Sequence, residues 1–258
     1  MHVLLTNDDG IHAPGLLALC RRLSRDFTVT VVAPDRERSA VGHGITLHQP
    51  LRAHPMDWDN GVRGFAVSGT PADCIKLALL DLMPEKPDIV VSGINPGANV
   101  GVNINYSGTV AAAKEAALYG IPAIAVSREG QGQAHYAGIA DFTAGFAVTM
   151  LARGLPFGTF LNVNFPDAPV RETAGVRFAS QGFEMFPETI EKRVDPRNRT
   201  YYWQGCDAQT FTADREVDGS VLQKKYIAIT PISCDATDYR FLDMLKAWPV
   251  PGATGTTE

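Results

Sequence analysis

Over its first two-thirds the chain alternates between short apolar runs and segments of helical period, and this alternation narrows the fold more than any other feature. Residues 2–6 (HVLLT) form an apolar run that stops abruptly at Asn7-Asp8-Asp9-Gly10. Pro14 then opens a stretch in which Leu16, Leu19, Cys20 and Leu23 recur at i, i+3, i+4 and i+7, one face of a helix. Residues 27–33 (FTVTVVA) are β-branched and apolar, and Pro34 closes them. Thr70 can cap a second helix with Pro71 in its first turn and Ile75, Ala78, Leu79 and Leu82 on its buried face. A strand over 88–92 (DIVVS), an Ala-rich helix over 109–119, a strand over 121–127, a helix over 136–153 and a strand over 159–164 continue the series. Strands buried on both faces and alternating with helices predict a doubly wound, mostly parallel, Rossmann-like α/β sheet.

After Pro166 the rhythm changes. Turn residues increase, an aromatic cluster Tyr201-Tyr202-Trp203 appears, and 226–232 (YIAITPI) reads as a strand before a short helix near 238–248. Three regions follow: an α/β core over 1–166, a β-rich carboxyl-terminal extension or oligomerisation arm over 167–248, and a flexible tail over 249–258 that lacks core-forming residues.

Charge removes one class of partner. The 258 residues carry 23 Lys+Arg against 28 Asp+Glu, a net charge of −5, with no basic block to follow a nucleic-acid backbone. A compact anion would instead need backbone N–H groups or a metal. The four cysteines form no C-x-x-C pair, as expected of thiols in a reducing compartment. No apolar run approaches the ~18 residues that cross a bilayer, and no basic leader precedes the first strand. A cytoplasmic protein without membrane contact is the expectation.

The acidic pair Asp8-Asp9 falls at the carboxyl end of the first strand, where open α/β sheets bind their ligands. Adjacent carboxylates repel unless a cation or proton lies between them. A helix cap would use one of the two, whereas a metal would use both. A second polar loop, residues 35–44 (DRERSAVGHG), leaves the second strand, and a third, residues 93–101 (GINPGANVG), leaves the strand over 88–92. Taken singly, the second reads as a solvated charged turn, and the third equally as a wide turn or as backbone that must approach a ligand. All three emerge from one sheet edge. Tyr106-Ser107-Gly108-Thr109 then precedes a helix, which makes either an ordinary N-cap or an anion cradle of unpaired N–H groups. A cation beside an anion cradle fits metal-assisted phosphoryl transfer.

Other chemistries lack their signatures. There is no G-x-G-x-x-G after the first strand, no Walker A loop and no G-x-S-x-G. The six histidines form no H-x-x-x-H pattern, so oxygen ligands remain, and these select Mg²⁺, Mn²⁺ or Ca²⁺ over zinc.

At these residues the chain resembles the survival protein SurE family of nucleotidases. The resemblance rests on TNDDGIHAPG (6–15), VVAPDRERSAVGHGIT (31–46), SGTPADC (68–74), VSGINPGANVG (91–101) and YSGTVAAAKEA (106–116), and extends weakly into DPRNRTYYW (195–203) and YIAITPI (226–232). It implies a divalent-metal-dependent phosphatase of nucleoside 5′-monophosphates, with 3′-nucleotides and short polyphosphate as secondary substrates. It also implies a homodimer or homotetramer built through the carboxyl-terminal arm. Carried onto this chain, the metal ligands fall on Asp8, Asp9, Ser39 and Asn95, with Asp8 and Asp9 catalytic. Asn99, Ser107, Gly108 and Thr109 fall where phosphate is bound or the site organised. His43 is an auxiliary candidate, either as an acid or as a structural hydrogen-bonding group. Lys225 stands where the family usually has glycine, and the segment 205–218 departs from the family pattern. A non-catalytic nucleotide- or metal-sensing module would use the same loops, and phosphate release separates it from an enzyme.

Overall fold

The computed structural model describes residues 1–58, 61–130, 132, 135–183, 188–206 and 216–249. The expected flexible tail, apart from Pro249, and most of the divergent 205–218 segment lie outside the described residues.

Strands β1 (His2–Thr6), β2 (Thr28–Pro34), β3 (Ala53–Asp57), β4 (Arg63–Val67), β5 (Ile89–Pro96), β6 (Ala123–Arg128) and β7 (Thr159–Phe165) build most of one sheet. With β8 (Val176–Phe178) and β11 (Ile227–Ser233) it runs in the order β3-β4-β2-β1-β5-β6-β7-β11-β8. The pairs from β4 across to β7 are parallel, while β3 and β11 join antiparallel. From β1 the chain builds outward to β2 and β4, then returns to lay β5 on the other side. The crevice between β1 and β5 is therefore the topological switch point, where ligands of such sheets bind.

The period of two within each strand divides the core. Val3, Leu5, Val29, Val31 and Val91 face α1 (Pro14–Leu23) and α4 (Tyr136–Arg153), packing against Leu16, Leu19, Leu23, Ile139 and Ala144. Leu4, Val32 and Val90 face the opposite way, against Cys74 and Ile75 of α2 (Pro71–Leu77) and Ala112, Ala113 and Ala116 of α3 (Gly108–Leu118). The small residues of α3 let it lie close on the sheet; all but Lys114 and Leu118 are buried. Thr70 caps α2 through a reciprocal capping box with Asp73, and its helix widens into a π-turn over Ala78–Leu82. Leu79 and Leu82 are consequently only half-buried. No helix among the described residues is long and apolar enough to cross a membrane.

The structure makes three main departures from the sequence reading. Strands β3 and β4 were not signalled: β3 carries Pro55 and belongs to the sheet edge, where a missing N–H is tolerated. Strand β5 runs past Ser92 to Pro96, with a register shift between Ser92 and Asn95. Gly93 occupies that shift at φ 138°, and a side chain there would meet the Val126 carbonyl at 2.3 Å. Third, the strand expected in the arm lies in the main sheet. Strand β11 pairs with β7 because Ile227, Ala228 and Ile229 are buried there, closing an edge that β7 would otherwise leave open. Strand β8 follows at the rim, and a helix not signalled by the sequence, α5 (Asp218–Gln223), precedes β11. Among the described residues, only the hairpin of β9 (Glu188–Val194) and β10 (Thr200–Cys206) stands apart as a two-stranded sheet, and α6 (Tyr239–Leu245) follows.

Candidate metal and phosphate site

Asp8 and Asp9 follow β1 directly, beside the ends of β2 and β5. The Arg38 N–H donates to the Asp8 carbonyl at 2.7 Å, which ties the loop after β2 to this turn. Gly10, at φ 101°, packs against the Arg36 backbone so closely that a Cβ would lie 3.1 Å from it. Gly15 meets the Ile94 carbonyl, where a Cβ would stand at 2.1 Å. These backbone approaches bring the three polar loops to one place.

The two carboxylates differ in surroundings. Asp8 is buried and receives the Thr109 hydroxyl on Oδ1, together with the N–H groups of Gly108 and Thr109. Burial pushes its carboxyl above the ordinary range, and those donors pull it back only in part. The helix α3 N-terminus thus already faces one carboxylate. Gly108 is required there, because a Cβ would lie 2.7 Å from the Asp8 Cβ. Asp9 is half-buried, and burial, then the charges of Asp8 and Glu37, raise its carboxyl to about 7. Its Oδ2 is buried without a hydrogen-bond partner among the described residues. An under-compensated carboxylate pair with an orphaned oxygen is the environment a cation relieves.

The remaining candidates are placed as follows. Ser39 is exposed and its Oγ donates to Glu37 Oε1 at 2.6 Å. Asn95 ends β5, and its Nδ2 donates to the Gly97 carbonyl at 2.7 Å, so Oδ1 is the atom a cation would take. Among the described residues no three His, Cys, Asp or Glu side chains converge to hold a metal. Two carboxylates with neutral oxygens on the neighbouring loops are a donor chemistry that fits a hard divalent cation.

Ser107 is the α3 N-cap, accepting from Val110 N at 3.2 Å. Thr109 is fully buried with its hydroxyl on Asp8. Asn99 is buried and its Nδ2 donates to Ser127 Oγ at 2.8 Å. Ser107 and Thr109 thus both sit at the first turn of α3, with their hydroxyls engaged within the protein. His43 Nε2 lies 2.6 Å from Glu115 Oε2, with Lys76 on the other carboxylate oxygen at 3.3 Å. Burial pushes Glu115 up, but His43 and Lys76 outweigh it and hold the carboxyl below its usual range. His43 is thereby tied to Glu115 of α3.

Two neighbours gave no sequence signal. Glu37 acts on Asp9, although within the loop it read only as one charge among several. Tyr136, at the start of α4, is buried; burial and the Asp9 charge raise its phenol, against the pull of Arg128. Tyr136 lies in none of the quoted motifs, and Glu37 lies in one without its effect on Asp9 being marked there; only the fold brings α4 to this edge.

Comparison with known proteins gives concordant matches. A family model described as survival protein SurE matches residues 3–188. A protein of Desulfatibacillum aliphaticivorans named 5′-nucleotidase SurE is 57% identical over 250 residues, covering 97% of this chain and 99% of the relative. A 5′-nucleotidase SurE of Moorella thermoacetica is 46% identical over 258 residues, covering 98% and 99%. The crystal structure of the SurE protein from Aquifex aeolicus superposes with a TM-score of 0.83 at 36% identity, covering 95% of this chain and 98% of that one.

Proposed function

The chain belongs to the survival protein SurE family, and on that premise we infer that it is a 5′-nucleotidase, hydrolysing nucleoside 5′-monophosphates to nucleoside and phosphate. Asp8, Asp9, Ser39 and Asn95 hold one divalent cation, Mg²⁺ or Mn²⁺ in preference to Ca²⁺. When bound, such a cation supplies charge neutralisation and Lewis acidity at the phosphoryl group. The chain's own residues do the rest. Thr109 and the first N–H groups of α3 hold Asp8 in one orientation, and the positive end of that helix favours the charge that develops on phosphate oxygens. Ser107 and Gly108 shape the cradle, and Asn99 organises the loop beside it. His43 fixes the loop that carries Ser39. The single observation that carries the reading is Asp9, with a buried oxygen lacking any partner and a carboxyl raised to about 7 beside a second buried carboxylate.

A phosphate-release screen over nucleoside monophosphates and metals tests it. Release supported by Mn²⁺ or Mg²⁺ and abolished by chelator is expected. Nucleotide binding without release would favour a sensing module instead. 3′-Nucleotides and short polyphosphate are secondary substrates in the same screen. Assembly as a homodimer or homotetramer is supported by apolar surface at the carboxyl-terminal end: Ile190, Tyr202, Trp203, Phe178 and Phe183 are all exposed on one subunit. A mass near 27.8 kDa at every concentration in light scattering would refute that assembly.

A further inference from the structure

At Asn99 and Gly101 the backbone of the glycine-rich loop is held by side chains from far along the sequence. At Asn99 the N–H donates to Asn164 Oδ1 at 2.8 Å, and the carbonyl accepts from Asn162 Nδ2 at 2.8 Å and Asn164 Nδ2 at 3.1 Å. Two residues on, the Gly101 N–H donates to Asp218 Oδ2 at 2.9 Å and its carbonyl accepts from Gln181 Nε2 at 2.9 Å. Asp218 is fully buried, and its Oδ1 accepts from the N–H groups of Gly182 at 3.0 Å and Gly219 at 2.8 Å. This carboxylate therefore binds three backbone segments into one unit.

Position gives the unit its meaning. Gly101, at φ 58°, begins the 3-10 turn Gly101–Asn105, which ends just before the α3 cap Ser107. Asn95 and Asn99 lie on its other side. A shift at Gly101 is therefore passed both to the cation side and to the phosphate cradle. Gln181 and Asp218 themselves come from the two segments that flank the β9–β10 hairpin.

We propose that Asp218, together with Gln181, is a positioning residue for phosphoryl transfer: it fixes the Gly101 peptide from the carboxyl-terminal half and so sets the distance between Asn95 and the Ser107–Thr109 cradle. The proposal rests on the nucleotidase reading of the same site. It does not touch the substrate, and its effect falls on turnover because misplacement of about 1 Å costs on the order of 100-fold in rate.

The test uses full-length Asp218→Asn and Gln181→Ala, assayed on adenosine 5′-monophosphate with saturating Mn²⁺, with kcat referred to folded protein well below the unfolding temperature. Asparagine keeps one acceptor oxygen and cannot serve both sides. Expected is a fall in kcat of about 10–100-fold for Asp218→Asn and about 3–10-fold for Gln181→Ala, with KM within about threefold of wild type. Amide exchange over residues 97–107 should quicken in both. If Asp218→Asn does not fold, Gln181→Ala, which removes one bond at a half-buried position, decides the matter. A kcat within twofold of wild type, or a loss confined to KM, overturns the proposal whatever happens to thermal stability. A wild-type protein that releases no phosphate from any nucleoside monophosphate fails the nucleotidase reading instead. Mn²⁺ calorimetry then decides the positioning role: affinity weakened about tenfold in the variants supports it, and unchanged affinity overturns it.

Discussion

Replacing Asp9 with asparagine should stabilise the protein in the absence of metal, although it removes a residue assigned to function. The Asp9 carboxyl is raised from 3.8 to about 7 by burial and by the charges of Asp8 and Glu37. The folded state therefore holds this proton more tightly than the unfolded chain does. Below about pH 4 both states are protonated and nothing is lost. As pH rises from about 4 to 7 the unfolded chain gives up its proton first, so stability falls, and above pH 7 the full penalty is present. At 1.36 kcal/mol per unit the penalty has an upper limit of about 4 kcal/mol, and screening at a half-buried site reduces it to about 2 kcal/mol. Asparagine carries no charge and escapes it. With an unfolding entropy of about 2.1 cal/mol/K per residue, 2 kcal/mol corresponds to a rise in Tm of about 4 °C for a chain of this length. Calorimetric scans of Asp9→Asn and wild type in excess chelator, at pH 4 and pH 8, provide the measurement. The gain should be present at pH 8 and absent at pH 4, and saturating Mn²⁺ should reverse the order by stabilising wild type far more. A variant no more stable than wild type at pH 8, or equally stabilised at both pH values, refutes the reasoning.

Thr109→Val removes the hydroxyl that donates to the buried Asp8. It should cost about 1–2 kcal/mol in urea unfolding and weaken Mn²⁺ binding about tenfold in calorimetry, whereas Thr109→Ser should retain most of both. Asp73 accepts from Thr46 N at 3.0 Å, Thr46 Oγ1 at 2.7 Å and Thr70 N at 2.9 Å, joining the loop beyond His43 to the α2 cap. Asp73→Ala should lower unfolding free energy by about 3 kcal/mol through unpaired donors and a lost capping box. Lys225 adopts φ 64° at the turn into β11. Lys225→Gly should stabilise by about 0.5–1 kcal/mol in the same assay, since glycine bears no left-handed penalty and the Glu129 ion pair it loses is exposed.

Much of the amino-terminal half, and the loops at its candidate site, could be read from local pattern alone. Helix α1 falls on the residues whose spacing announced it, with Leu16, Leu19, Cys20 and Leu23 buried. Strand β1 ends where Asn7-Asp8-Asp9-Gly10 interrupts the apolar run. Burial on one or both faces imposes a period on each element, and a period is visible within a dozen residues. The three polar loops follow, because strand ends and glycine-rich turns are also local features.

What local pattern could not carry was partnership across the chain. Thr109 serves Asp8 from 101 positions away, and Asp218 reaches Gly101 across 117. Spacing holds no record of such pairs. Strand β11 joins β7 rather than the hairpin because an open sheet edge and three buried apolar residues meet there, which only packing can decide. The raised carboxyl of Asp9 is likewise a property of its surroundings: the sequence determined that two acids stand side by side, and the tertiary structure, by burying one oxygen without a partner and bringing Glu37 into range, decided what their charge would cost.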